Sequence, residues 1–201
     1  MLKNFAVFAS GHGSNLEAII RAVKKGSIKA RLALVVSDKS NAYALTRAKK
    51  ANIKTLVVSS ENFPDRESFD REVIKHLKDE KIDFIVLAGF MRILSAVFIN
   101  EYRDRILNVH PALLPSFKGA HAIKDAFDHG VKVTGVTVHF VDEKVDNGAI
   151  ILQQEVKVSP KDTLETLEEK IHRVEHKLYP QAISLFVRDK ISASGRKVKT
   201  A

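Results

Sequence analysis

Five short apolar runs punctuate the first half of the chain: residues 4–10 (NFAVFAS), 31–37 (RLALVVS), 54–60 (KTLVVSS), 84–89 (FIVLAG) and 106–110 (ILNVH). Each is too short to be a buried helix and rich in the branched side chains that suit a pleated surface. Between them lie stretches with apolar residues at helical spacing, near 14–25, 41–52, 66–79 and 95–102; Phe69, Val73 and Leu77 mark the third. Strands that alternate with helices in this way form a parallel sheet, because each crossover helix must pack back onto a sheet face. The expected fold is therefore α/β, with a mostly parallel, Rossmann-like sheet and helices on both faces.

The pattern changes after residue 119. A helix over about 121–129 leads into VKVTGVTVHFV (131–141), whose alternation suits an edge or antiparallel strand, and AIILQQEVKV (149–158) is its expected partner. Leu164, Leu167, Ile171, Val174 and Leu178 then recur every three or four residues, as in one long amphipathic helix with Thr163 as N-cap and a kink at Pro180. At 201 residues and 45% hydrophobic content the chain can bury one core, and no linker or repeat divides it. The expected organisation is one domain over 1–187, followed by a basic, flexible tail over 188–201. The tail carries Arg188, Lys190, Arg196, Lys197 and Lys199 against Asp189.

The composition closes off several chemistries. With no cysteine there is no disulfide, thiolate metal site or cysteine nucleophile. No apolar run reaches the roughly 18 residues of a membrane-spanning helix, and the N-terminus lacks a signal-peptide layout, so the reading is a cytoplasmic protein. The net charge of +9 is either a solvated basic surface or a means of attracting anionic substrates.

Three loops fall where the chain leaves the expected strands. SGHGSN (10–15) joins the first strand to the first helix. Its glycines permit a tight turn, and the free N–H groups of the helix start invite a phosphate. Leu16 stands where a dinucleotide fingerprint needs a third glycine, and Ser14 and Asn15 add donors suited to a phosphate monoester. AGFMRILS (88–95) follows the fourth strand and offers an apolar wall for a flat heterocycle. NVHPALLP (108–115) ends the fifth strand on the same rim. Asn108 and His110 are two residues apart and so point to one side, where an amide and an imidazole could serve one developing oxyanion. Asp146, in VDEKVDNGAII (141–151), is a turn former by itself. Beside His110, a carboxylate would orient the ring and favour its charged form. His172, Glu175 and His176 match an inverted zinc-protease motif, but no third ligand is evident and the plainer reading is a packing helix without metal.

With SGHGSNLEAII, VLAGFMRILS, LNVHPALLPSFKGAH and HFVDEKVDNGAIILQ in this order, residues 3–187 resemble the glycinamide-ribotide branch of the 10-formyltetrahydrofolate-dependent formyltransferase family. The resemblance implies transfer of a formyl group from 10-formyltetrahydrofolate, as co-substrate, to the glycinamide amine of 5'-phosphoribosylglycinamide in purine synthesis, by direct attack. It implies a catalytic trio of Asn108, His110 and Asp146. It implies ribotide contacts from Gly13, Ser14, Asn15 and Glu175, and folate contacts from Arg66, Met91, Arg92, Ile93, Leu94, Asn108, Val141 and Asp146. No metal, membrane or nucleic acid is expected as a partner, and the protein is expected as a monomer or homodimer.

Other formyl-folate enzymes are the nearest alternatives. A transfer-RNA formyltransferase would carry a further C-terminal domain, and a formyl-folate hydrolase an extra N-terminal one; the chain is expected to have neither. A non-catalytic anion- or nucleic-acid-binding module is the alternative from another class. Three tyrosines and no tryptophan give it no evident stacking platform.

Overall fold

The branched runs pair side by side. In the computed structural model, which describes residues 2–200, β1 (Asn4–Phe8), β2 (Arg31–Ser37), β3 (Lys54–Val57), β4 (Phe84–Leu87) and β5 (Ile106–His110) run parallel. β6 (Val133–Phe140) and β7 (Ile150–Lys157) add antiparallel, giving one sheet in the order β3-β2-β1-β4-β5-β6-β7. The helices are α1 (Ser14–Lys24), α2 (Tyr43–Lys50), α3 (Arg66–Asp79), α4 (Ala96–Glu101), α5 (Ala122–Asp128) and α6 (Leu164–Val187).

Alternation along each strand divides the core in two. Phe5 and Val7 of β1 face a cluster with Leu16 and Ile19 of α1 and Leu167, Ile171 and Leu178 of α6. Ala6 and Phe8 face the other cluster, with Phe69, Val73 and Leu77 of α3 and Phe98 of α4. The strand order reverses about β1, with β2 and β3 to one side and β4 and β5 to the other. Ligands in open parallel sheets bind at such a switch, beyond the carboxyl ends of the strands.

β6 is antiparallel, as expected, but it lies inside the sheet between β5 and β7, and every residue from Thr134 to Phe140 is buried. Its polar side chains are buried because the loop after His110 lies over them. The Thr137 hydroxyl donates to the Ala112 carbonyl at 2.7 Å and accepts the Leu114 N–H at 3.0 Å. Gly135 is required here: a Cβ would stand 2.2 Å from the Gln154 carbonyl oxygen and 2.6 Å from Leu113.

α6 starts as the sequence predicts, with the Thr163 hydroxyl accepting the Thr166 N–H in a capping box. It then runs on through Pro180 to Val187. The Tyr179 hydroxyl lies 2.8 Å from the Leu87 carbonyl, at the end of β4, and 2.9 Å from that of Leu107, within β5. Its one hydrogen, shared between these carbonyls, ties the helix to these two neighbouring strands.

The tail departs from expectation. Residues expected to lack regular structure form a hairpin of β8 (Ile191–Ser194) and β9 (Lys197–Thr200), turning at Gly195 with φ +59°. Low complexity concealed two anchors, Ile191 and Val198, which pack partly buried against the core. The boundary at 187/188 therefore stands only as a proposed division of the chain. Ending the chain after Lys190 should lower stability by about 1 kcal/mol and Tm by about 2–4 °C. A calorimetric melt unchanged by the truncation would show that these contacts contribute nothing.

Candidate active site

The first loop is shaped by close packing against α2. Gly13, at φ +75°, is the N-cap of α1, and a Cβ on it would stand 2.8 Å from the Cβ of Ala44. The Ala44 N–H donates to the Gly11 carbonyl at 3.1 Å, and Arg47 Nε donates to the His12 carbonyl at 3.0 Å. The start of α1 has no side-chain cap, so its first N–H groups remain for a ligand. Ser10 links this loop to the next: its N–H donates to the Gly89 carbonyl at 3.1 Å, and its hydroxyl accepts the Met91 N–H at 3.0 Å.

Glu175 lies on the buried face of α6, between Ile171 and Leu178. A buried carboxylate is costly without a partner. Asn15 Nδ2 donates to Glu175 Oε2 at 3.0 Å, while Asn15 Oδ1 is buried with no partner at all. Burial pushes the Glu175 carboxyl above the usual carboxylate range, against the pull of the Asn15 amide and of His172. An orphaned amide oxygen beside a carboxylate is a pair of acceptors awaiting donors such as sugar hydroxyls.

At the end of β5, His110 is 4% exposed. Its Nε2 lies 2.8 Å from the Phe117 carbonyl oxygen and its Nδ1 3.3 Å from Asp146 Oδ2. Asp146 Oδ2 also accepts the Gly119 N–H at 2.8 Å. Asp146 reaches the ring from the β6–β7 loop, where it has φ +47°. Gly148, two residues on, passes so close to β6 that a Cβ would lie 1.7 Å from the Phe140 carbonyl oxygen.

His139 belongs to the same cluster, and sequence reasoning did not single it out as a site residue. It is the cross-strand partner of Asn108 in the β5–β6 register. Its Nδ1 lies 2.7 Å from the Phe140 carbonyl and so carries the hydrogen, which leaves Nε2 to accept from Asn108 Nδ2 at 3.2 Å. Burial holds the His139 pKa below its ordinary value, outweighing the attraction of Asp146. The ring is thus neutral, and its 3.7 Å approach to Asp146 Oδ1 is a contact rather than an ion pair. Asn108 keeps its second amide hydrogen for a ligand oxygen. Only the register of two strands distant in sequence shows this histidine.

The loop after β4 forms the far wall. Met91 and Ile93 are 64% and 55% exposed, and Val145 across the opening is 50% exposed, an unusual openness for large apolar side chains at one mouth. Arg92 lies over the Phe69 ring with its Cζ 4.3 Å from the centroid, and its Nε is buried without a partner. Leu94 is 6% exposed and belongs mainly to the core. The wall is held from behind by Asp70, a buried carboxylate that accepts the Ser95 N–H at 2.6 Å.

These loops enclose a cleft of about 820 Å³ at the switch point. It brings together Gly13, Ser14, Asn15, Met91, Arg92, Ile93, Leu94, Asn108, His110, Val141, Asp146 and Glu175. Arg66 is not among its lining residues; it is exposed at the start of α3, beyond the N-cap Asp65. Glu175 turns to Asn15, and no group of three or more metal-ligating side chains occurs among the described residues.

Comparison with known proteins agrees with this picture. Residues 3–183 match the formyl transferase family. The chain is 42% identical over 182 residues to phosphoribosylglycinamide formyltransferase of Bacillus subtilis, covering 90% of this chain and 93% of that protein. It is 48% identical over 185 residues to the trifunctional purine biosynthetic protein adenosine-3 of Drosophila pseudoobscura pseudoobscura, covering 91% of this chain but only 14% of that one. The crystal structure of glycinamide ribonucleotide transformylase 1 from Symbiobacterium toebii superposes with a TM-score of 0.97 at 41% identity, covering 99% of this chain and 94% of the other.

Proposed function

The chain belongs to the formyl transferase family, and we propose that it transfers the formyl group of 10-formyltetrahydrofolate to the glycinamide amine of 5'-phosphoribosylglycinamide, a step of purine synthesis in the cytoplasm. The observation that carries this reading is the make-up of one cleft. A helix N-terminus beside two acceptor groups, an apolar wall and a polar trio all line it. That combination matches a substrate pair made of a sugar phosphate and a flat heterocycle, meeting at a carbonyl carbon.

The phosphate is bound by the N–H groups of Ser14 and Asn15 and by the Ser14 hydroxyl, over the glycine turn at Gly13. The ribose hydroxyls donate to Glu175 and Asn15 Oδ1. The heterocycle lies against Met91, Ile93 and Val141, and Arg92 offers its unpartnered Nε to an anionic group. Arg66 reaches the folate only if its exposed side chain turns toward the cleft mouth.

The amine nitrogen attacks the formyl carbon. As this C–N bond forms, the carbonyl electrons move to oxygen. Asn108 donates its free amide hydrogen to that oxygen. His110, held with Nε2 2.8 Å from the Phe117 carbonyl and Nδ1 3.3 Å from Asp146, lies beside the same oxygen and stabilises the charge that develops there. Collapse of the intermediate breaks the bond to the folate N10, and the proton lost by the amine passes to N10 through water. Asp146 orients His110 and balances its charge, while His139 orients Asn108. No metal enters this scheme.

A transfer assay with purified protein, the ribotide and 10-formyltetrahydrofolate tests the reading by product mass. Release of free formate with no formylated ribotide would overturn it in favour of a hydrolase.

Substituting Ser14 and Asn15 together by Ala should raise the KM for the ribotide by about tenfold or more, with a smaller change in kcat and little in the KM for folate. Equal effects on both substrates, or none, would remove this loop as the phosphate site.

A further inference from the structure

A second concavity, also of about 820 Å³, lies between α1 and α6. Its charged lining is all basic: Arg21 from α1 and Lys25 at its C-cap, Arg173, His176 and Lys177 from α6, and Arg188 at the C-cap of α6, with no carboxylate side chain among the lining residues. Arg21 and Lys25 are four residues apart, as are Arg173 and Lys177, so like charges stack on adjoining helix faces, an arrangement that destabilises by itself. Arg21, Lys25, Lys177 and Arg188 form no ion pair among the described residues. Arg173 reaches Glu169 at 3.1 Å, with both side chains exposed, where screening leaves such a pair little strength. The floor between the cations is made of small side chains, Ala18, Ala22 and Pro180, which leave the space open.

A separate observation marks the same place. His176 Nε2 is buried with no hydrogen-bonding partner. Burial lowers the pKa of this ring, and the neighbouring His172, Arg21 and Arg47 lower it further.

We propose that the α1–α6 groove is a second anion site, built for the oligophosphate chain of a small molecule, whether inorganic or the tail of a nucleoside triphosphate. A single phosphate is served by one helix N-terminus, whereas five permanent cations around one cavity call for an anion with several charges. The volume is that of a small-ligand site. Among the described residues no Phe, Tyr or Trp lines the groove, so it lacks the broad platform on which bases stack, which speaks against single-stranded nucleic acid. The groove shares no lining residue with the substrate cleft, although α1 and α6 contribute to both. The proposal does not rest on formyl transfer.

Calorimetric titration at constant ionic strength tests it, with tripolyphosphate, adenosine triphosphate, orthophosphate and a single-stranded oligonucleotide as probes. Tripolyphosphate or the nucleotide should bind one per chain, at least about tenfold more tightly than orthophosphate. The tighter of the two identifies the source, and equal affinity shows that the phosphate chain alone is recognised. The double substitution Arg21→Gln with Lys177→Gln should weaken binding about tenfold. Both side chains are exposed, and the steady-state constants for formyl transfer should stay within about twofold. The His176 ring signals should move on titration of the wild-type protein. Lys49→Gln with Lys50→Gln removes the same charge from exposed positions of α2 and should leave binding intact. An equal loss in this control, displacement of tripolyphosphate by the ribotide, or preference for the oligonucleotide would overturn the proposal.

Discussion

Replacing Asp146 by Asn should lower kcat for formyl transfer by about 10²–10³. The substitution preserves shape, and the Asn oxygen can still accept the Gly119 N–H that Asp146 Oδ2 accepts at 2.8 Å. What disappears is the negative charge 3.3 Å from His110 Nδ1. The ring then loses the carboxylate that orients it, and the electrostatic support for the developing oxyanion is lost with it. Because that charge matters most in the transition state, the KM values for both substrates should change by less than about threefold. Nitrogen-15 shifts of the His110 ring distinguish the doubly from the singly protonated form and supply a readout that mere loosening of the loop would not move. Near-normal kcat in this variant would show that the pair is not the catalytic unit.

The second large effect is expected at Gly148. An added methyl group would have to sit 1.7 Å from the Phe140 carbonyl oxygen and 2.6 Å from its carbon. Both are backbone atoms, so no side-chain rotation relieves the clash, and the β6–β7 loop itself must move. Gly148→Ala should therefore cost about 1–3 kcal/mol of stability. It should also reduce kcat by at least about tenfold, since Asp146 rides on the same loop and positioning errors near 1 Å are costly in catalysis. A variant with wild-type melting temperature and wild-type kcat would show that the loop tolerates displacement and that its close approach to β6 has no role.

What could be read from the sequence was whatever local chemistry decides. The runs at 31–37 and 106–110 become β2 and β5 with those same limits, and α3 spans the expected 66–79, because branched strands and a capped amphipathic helix are specified by near neighbours. The run at 54–60 pairs only from Lys54 to Val57, and a short 3-10 turn at Ser60–Asn62 follows. Properties set by distant contacts were not legible. The interior position of β6 depends on β7 covering its far edge. His139 enters the site only through its register opposite Asn108. The pairing of Glu175 with Asn15, 160 residues apart in the chain, is set by the packing of α6 against α1. The hairpin at 191–200 is stabilised by anchoring that a basic, serine-containing sequence does not advertise.

The sheet order also has a kinetic side. β1 sits at the centre, yet its second neighbour, β4, begins at Phe84, and α6, which covers one of its faces, begins at Leu164. At a ribosomal rate of about 5–20 residues per second, the central strand waits roughly 8–30 s for that cover to be synthesised. Pairing across such sequence separations is slow even for a released chain. The segment that ends as the best protected part of the molecule is thus the one longest exposed during biosynthesis. Crowded expression should lose this protein to aggregation through β1 and its flanks, before the native site has formed, rather than through the loops that later carry its chemistry.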